Sequence, residues 1–229
     1  MQTWVQRSFA PLKRWLPRPV SNAIRSTVTA AFTPLRSSVR SGHFRSSFAR
    51  KAVDRRGKPL PWYTYPAIEF LRSQAPFDGR RVLEFGSGQS SLWWAANGAS
   101  VLALEDDAEW GGNVRGSVDL RIVNGTDCAR FIAEARAILD GQAFDVIVVD
   151  GLFRSDAARL ALDYLKPGGA LICDNAEGYG FFDALSGAGL RRVDFYGNAP
   201  GVILQHSTSV FFRDGCFLFE NAKPIQRLG

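Results

Sequence analysis

Between residues 66 and 175, short apolar runs alternate with stretches of helical period. The strand-like runs are RVLEF (81–85), SVLALE (100–105), LRIV (120–123), FDVIVVD (144–150) and ALICD (170–174). Helical stretches fall between them at about 90–97, 107–116, 127–139 and 155–165. An earlier helix opens at Pro66, a residue suited to a first helical turn, and runs to about Ser73. Strands and helices alternating at this spacing predict βαβ units, hence an α/β, doubly wound, mostly parallel sheet with helices on both faces. KPGG (166–169) is expected to stop the fourth of those helices before the fifth strand. After residue 175 the rhythm changes to a helix near 178–187, then LRRVDFYG, TSVFFR and CFLFE. The last two flank Asp214-Gly215 and predict a hairpin closing one edge of the sheet.

Upstream of the alternation the pattern is different. Val5, Phe9, Leu12 and Leu16, then Val20, Ile24, Val28, Phe32, Leu35 and Val39, recur at helical spacing, punctuated by Pro11, Pro17, Pro19 and Pro34. This predicts short amphipathic helices broken by proline. GKPLPWYTYPAIEFL (57–71), with Pro61 and Pro66, marks the entry to the globular domain. The chain therefore divides into an N-terminal extension, residues 1–58, and a domain, residues 59–229.

Charge sharpens that division. The net charge of +6 is the sum of two opposed parts. Residues 1–58 hold 13 Lys/Arg against the single acid Asp54, giving +12; residues 59–229 hold 15 basic and 21 acidic groups, giving −6. A basic helical arm is joined to an acidic body, and an acidic surface is the partner such an arm calls for. Three readings of the arm stand together. Its Arg/Ser-rich, acid-poor composition is that of an organelle transit peptide. Trp4, Phe9 and Trp15 beside Lys13, Arg14 and Arg18 suit peripheral membrane contact through residues 1–40. The plainest reading is an extension packed loosely on the body.

No apolar run approaches the roughly 20 residues that cross a bilayer. Cys128, Cys173 and Cys216 are odd in number and form no CxxC pair, which argues against a disulfide framework or zinc site and for a reducing compartment. The expected location is cytoplasmic, with the arm at the inner face of a membrane.

The first strand runs into a glycine-rich turn, RVLEFGSGQSS, in which backbone N–H groups can approach a ligand closely. A dinucleotide fingerprint requires a third glycine where Ser91 stands, and a pyrophosphate beside Glu84 would meet a like charge. A P-loop is excluded because no Gly-Lys-Ser/Thr follows. An acid before the turn instead favours a ligand that is cationic at that end. Glu105, closing the second strand 21 residues later, can accept the hydroxyls of a ribose.

RVLEFGSGQSSLWWAANGASVLALEDD, NGTD (124–127), FDVIVVDG (144–151) and LKPGGALICDN (165–175) resemble, in order and register, the successive motifs of class I S-adenosylmethionine-dependent methyltransferases. The resemblance covers about residues 66–175. It implies a Rossmann-like seven-stranded sheet with a reversed last strand and S-adenosyl-L-methionine as cofactor. It also implies that Glu84, Gly86 and Gly88 serve the methionine end, Glu105 the ribose, and Thr126 and Asp127 the adenine edge, with Ser87 and Asp106 as further cofactor contacts. Asp106 and Asp107 fit equally well as N-terminal charges on the next helix.

Asp150, Asp174 and Asn175, at the ends of the fourth and fifth strands, are the candidates for chemistry. They are similar to the metal triad of cation-dependent O-methyltransferases, which implies a divalent ion such as Mg²⁺ and methyl transfer to a hydroxyl oxygen of a small-molecule or glycan-precursor acceptor. One departure is Phe153, which stands where the plant-type enzymes carry lysine. The same residues could instead terminate strands and cap the following loops. Arg154 is a candidate holder of a substrate carboxylate or phosphate. His206 is a candidate base, although a lone histidine before a strand is more often structural. Tyr179 and Tyr196 are candidate pocket walls, and Trp93 and Trp94 fit the core. A nucleic-acid acceptor held by the +12 arm is the alternative, against which the acidic domain and the lack of a basic, aromatic stacking platform argue.

Overall fold

The computed structural model describes residues 17–220, so the expectations for Trp4, Phe9 and Trp15 lie outside the described residues. The elements, in chain order, are α1 (Arg18–Ser41), α2 (His43–Ala49), α3 (Tyr65–Gln74), β1 (Arg81–Phe85), α4 (Gln89–Ala96), β2 (Ser100–Glu105), α5 (Ala108–Gly111), β3 (Asp119–Ile122), α6 (Cys128–Leu139), β4 (Phe144–Val149), α7 (Arg154–Ala161), β5 (Leu165–Asp174), α8 (Phe181–Ala184), β6 (Arg191–Gly197), β7 (His206–Phe212) and α9 (Phe217–Glu220).

Seven strands form one sheet in the order β3-β2-β1-β4-β5-β7-β6. All pairs are parallel except those of β7, which runs antiparallel to both β5 and β6. The reversed strand is thus inserted between β5 and the edge strand β6. Side chains alternate across each strand. Leu83, Phe85, Ile147, Val149 and Leu171 face Phe131, Ala157 and Phe181 in one core layer. Val82, Val146, Val148, Ile172 and Val210 face Tyr63, Ile68, Leu71 and Trp94 in the other. Trp93 and Trp94 are core residues, as the sequence predicts.

Five expectations are corrected. The arm's prolines do not divide it after residue 18, because α1 runs as one helix of 24 residues through Pro34. The helix read over 107–116 is one turn, cut short at Gly111-Gly112. The helix near 178–187 likewise shrinks to Phe181–Ala184, and α7 ends at Ala161. The hairpin around Asp214-Gly215 does not form. Both edges of β7 are already taken by β5 and β6, so CFLFE has no edge to join. It coils into α9, where Phe219 stacks on Phe70 and Phe212.

The core reaches back across the expected boundary at residue 58. Ala52 and Val53 are buried, and Ser46 Oγ donates to Val53 O (2.8 Å) while accepting from Val53 N (3.0 Å). α1, by contrast, contains no buried residue.

Candidate active site

The turn after β1 depends on two glycines from different strands. Gly86 has φ +106°, and a Cβ there would stand 3.0 Å from Gly151 N. A Cβ on Gly151 would stand 2.9 Å from Gly86 N and from Phe85 O. The loops leaving β1 and β4 therefore cross at backbone contact, which only glycine permits.

The alternation of β1 sends Glu84 into the apolar layer with Val82, under α4. It is 2% exposed and accepts a short hydrogen bond from Ser91 Oγ, which in turn accepts from Gly88 N (3.1 Å). Ser91 thus fastens the turn to Glu84, a role that the comparison with a dinucleotide turn gave no hint of. Burial pushes the Glu84 carboxyl up to about 7, partly opposed by the Ser91 and Ser90 hydroxyls and reinforced by Glu105.

Glu105 is fixed at the mouth of β2. Its Oε1 accepts from Asp106 N (3.0 Å) and Asp107 N (3.1 Å), and its Oε2 from Ser87 Oγ (2.7 Å). Asp107 caps α5, its Oδ1 accepting from Glu109 N and Trp110 N at 2.9 Å. Asp106 lines the cavity below. Thr126 bonds to Asn124 Oδ1 and Asp127 caps α6; neither is among the cavity-lining residues.

At the ends of β4 and β5, Arg154 dominates. Its Nε donates to Gly151 O (3.0 Å), Nη1 to Asp174 O (2.9 Å) and Asn175 Oδ1 (3.2 Å), and Nη2 to Asp150 O (3.0 Å), while Nη2 also forms an ion pair with Asp150 Oδ1 (2.8 Å). Four hydrogen bonds and an ion pair thus turn the guanidinium toward oxygens of the protein itself rather than toward a substrate anion. The ring of Tyr179 covers the same guanidinium at 4.2 Å. Tyr196 is exposed and does not line the cavity.

Asp174 is buried, accepts from Thr208 Oγ1 (2.6 Å) and faces His206 Nε2 at 3.5 Å. That Nε2 is buried without a hydrogen-bond partner. The Asp174 carboxylate raises the His206 pKa against the opposing effect of burial. Asp150 is pushed up to about 8, by desolvation first and Asp174 second, with Arg154 opposing.

The triad does not fit a divalent ion. A cation already stands among these donors: Arg154 holds one Asp150 oxygen and the only side-chain oxygen of Asn175.

All of this surrounds one cavity of about 500 Å³ beyond the C-terminal ends of β1, β2, β4 and β5. Glu105, Asp106, Asp150 and Asp174 line it against Arg154 and His206. The sequence reading missed Trp62, Trp110 and Val202 in its wall. The two tryptophans stack at 6.4 Å between ring centroids, and Trp110 Nε1 donates to Ser87 O (2.8 Å).

No family model and no curated protein matches the sequence. Solved structures do. An O-methyltransferase from Bacillus cereus in complex with SAH is 15% identical with a TM-score of 0.50, covering 82% of this chain and 96% of its own. The O-methyltransferase TomG from Streptomyces achromogenes, involved in tomaymycin synthesis, is 17% identical (TM-score 0.48; 76% and 87% covered). The T. thermophilus 16S rRNA N2 G1207 methyltransferase RsmC is 17% identical (TM-score 0.45; 65% and 42% covered). The likeness to the Bacillus cereus structure and the order of the sheet define the class: this chain has the Rossmann-like fold of the class I S-adenosylmethionine-dependent methyltransferases.

Proposed function

We propose that the chain is an S-adenosylmethionine-dependent methyltransferase that acts on a hydroxyl oxygen of a small molecule or glycan precursor. The observation that carries the cofactor is the sign of the cavity. Glu105 and Asp106 line the side of it beyond β1 and β2, with no Arg or Lys among the lining residues there, whereas Arg154 lies at the ends of β4 and β5 against Asp150. A pyrophosphate would be repelled there, whereas the ammonium and sulfonium of S-adenosylmethionine are complementary.

The residues present fit that cofactor. Glu105 is oriented by two backbone N–H groups and keeps an acceptor site on Oε2 beside Ser87, suited to a ribose hydroxyl. When bound, the cofactor supplies a methyl group already activated by its sulfonium. The protein's work is then alignment, exclusion of water and removal of the acceptor proton. His206, on the cavity wall beside Asp174, is the base. With a proton on Nε2 facing Asp174, Nδ1 is the nitrogen that takes the hydroxyl proton. Asp174 orients the ring and stabilises the imidazolium, and Arg154 holds the ends of β4 and β5 in place around it.

Isothermal titration with S-adenosylhomocysteine and with NAD, each with and without Mg²⁺, tests the reading. Binding of the first alone, lost at least tenfold in Glu105→Ala, supports it; binding of NAD, or indifference to Glu105→Ala, overturns it.

A further inference from the structure

A further hollow lies outside that site. About 370 Å³ in volume, it is lined by Val39 and Arg40 of α1, Phe44 and Arg45 of α2, and Arg55 and Arg56 of the loop beyond. No carboxylate of the described residues pairs with any of the four arginines, and from residue 17 to residue 53 the chain contains no acid at all. Asp54, the nearest, spends its Oδ1 on the backbone N–H groups of Arg56 and Lys58.

An apolar surface adjoins this basic one. At about 100° per residue, Val20, Ile24, Val28, Phe32, Leu35 and Val39 fall within roughly 120° of the α1 circumference. On the same count Arg18, Arg25, Arg36 and Arg40 cluster along one border of that stripe. None of the six is buried, and Phe32, Leu35 and Val39 are more than half exposed. Phe44 and Phe48 continue the surface on α2, Phe48 at 88% exposure. Ile203, at 89%, and Leu204 lie on the loop whose Gly201 N–H donates to His43 Nδ1 at the start of α2. Val202 of that loop lines the cavity.

We propose that α1, α2 and the hollow between them form a docking surface for a bilayer carrying anionic phospholipid. The apolar stripe lies at the level of the acyl chains, and Arg40, Arg45, Arg55 and Arg56 receive the headgroup phosphates. Two features select this occupant. An apolar stripe bordered by arginines matches the depth profile of a bilayer interface, where long cationic side chains reach up to the phosphates. RNA would use the arginines but leave the stripe in water. A second copy of this chain would bring like-charged arginine clusters together. The inference is independent of the chemistry proposed for the cavity.

Sedimentation of the full chain with vesicles of phosphatidylcholine alone, and of phosphatidylcholine with phosphatidylglycerol, tests it. Partition into the anionic vesicles is expected, weakening as salt is added. Arg40→Gln/Arg55→Gln/Arg56→Gln is expected to lower it at least tenfold, as is Phe32→Ser/Leu35→Ser. All five side chains are solvent-facing, and circular dichroism confirms that the variants fold. Equal partition into both vesicle types, or partition unchanged in both variants, overturns the proposal. So does a stable dimer that binds no vesicle, or retention of a short RNA with no vesicle binding.

Discussion

Arg154 holds Asp150 twice through the same nitrogen, Nη2, which donates to the carbonyl oxygen at 3.0 Å and forms an ion pair with the carboxylate Oδ1 at 2.8 Å. The pair lies four residues apart across the start of α7, so the helix is tied to the strand that precedes it. The other three donors cross to Gly151, Asp174 and Asn175, which makes one guanidinium the tie between β4 and β5.

Lysine has three donors and no planar fork, so Arg154→Lys cannot restore this arrangement. Arg154→Lys and Arg154→Ala are each expected to cost about 2–4 kcal/mol in urea denaturation, because they strand buried acceptors. Since Arg154 already supplies the cation among Asp150 and Asn175, chelation by EDTA is expected to leave S-adenosylhomocysteine affinity and methyl transfer unchanged. A loss of either on chelation, restored by Mg²⁺, would contradict this arrangement of charges.

Glu84 couples stability to pH. In the unfolded chain it ionises near 4.5; in the fold it holds its proton to about 7. Between those values the native state binds more protons, so stability falls as pH rises, by about 3 kcal/mol once pH exceeds 7. Asp150, pushed to about 8, adds a slope of the same sign that extends higher. Glu84→Gln keeps an acceptor for Ser91 and removes the buried charge. It is expected to raise stability at about pH 8 by roughly 1–3 kcal/mol and to flatten the slope from about pH 5 to 7. Urea midpoints at both pH values measure this. S-adenosylhomocysteine, through its ammonium, should bind the wild type more tightly as pH rises through 7, a trend weakened in Glu84→Gln.

The sheet was legible because each buried parallel strand is a short, nearly continuous apolar run, and β1 and β2 match the predicted bounds to the residue. CFLFE is just as apolar, yet it forms a helical turn. Whether such a run becomes a strand depends on a vacant neighbour, which local sequence does not encode. Glu84 and Glu105 stand out in the sequence because an acid within or at the end of an apolar strand is conspicuous. Arg154 was found as a residue but given a partner outside the protein. Its acceptors, four of them backbone or amide oxygens, come from two strands and leave no mark at residue 154. Trp62 and Trp110 reach the same wall from 48 residues apart, again through topology alone.

The crossing of Gly86 and Gly151 yields a sharper test than residue type could. Gly151→Ala places a Cβ against backbone on both sides, where no rotamer change can relieve it. A loss of about 2–4 kcal/mol is expected, together with weaker S-adenosylhomocysteine binding, because the turn must shift. Gly178→Ala, whose nearest contact is Asn175 O at 3.7 Å, should stay within about 0.5 kcal/mol of wild type. Equal effects in the two variants would show that the close approach is immaterial.

The pair His206 and Asp174 gives opposite signs for stability and for activity. Asp174 raises the His206 pKa above 6.5, so the favourable interaction of imidazolium with carboxylate is complete below that value. It is lost as pH rises through the folded pKa. A base, however, must be neutral, so methyl transfer to a hydroxyl should rise over the same window in which this contribution to stability falls. Asp174→Asn removes the charge that holds the pKa up, and the ascending limb of kcat/KM should move to lower pH. Thr208→Val leaves Asp174 without its 2.6 Å hydroxyl donor and should move the limb in the other direction, since the freed carboxylate acts more strongly on the imidazole. Because Asp150 titrates nearby, the limb belongs to the group of charges until His206→Gln separates them. If His206 is the base, that variant loses the limb and most of kcat while retaining affinity for S-adenosylhomocysteine. A full limb in His206→Gln would assign the proton transfer to another residue.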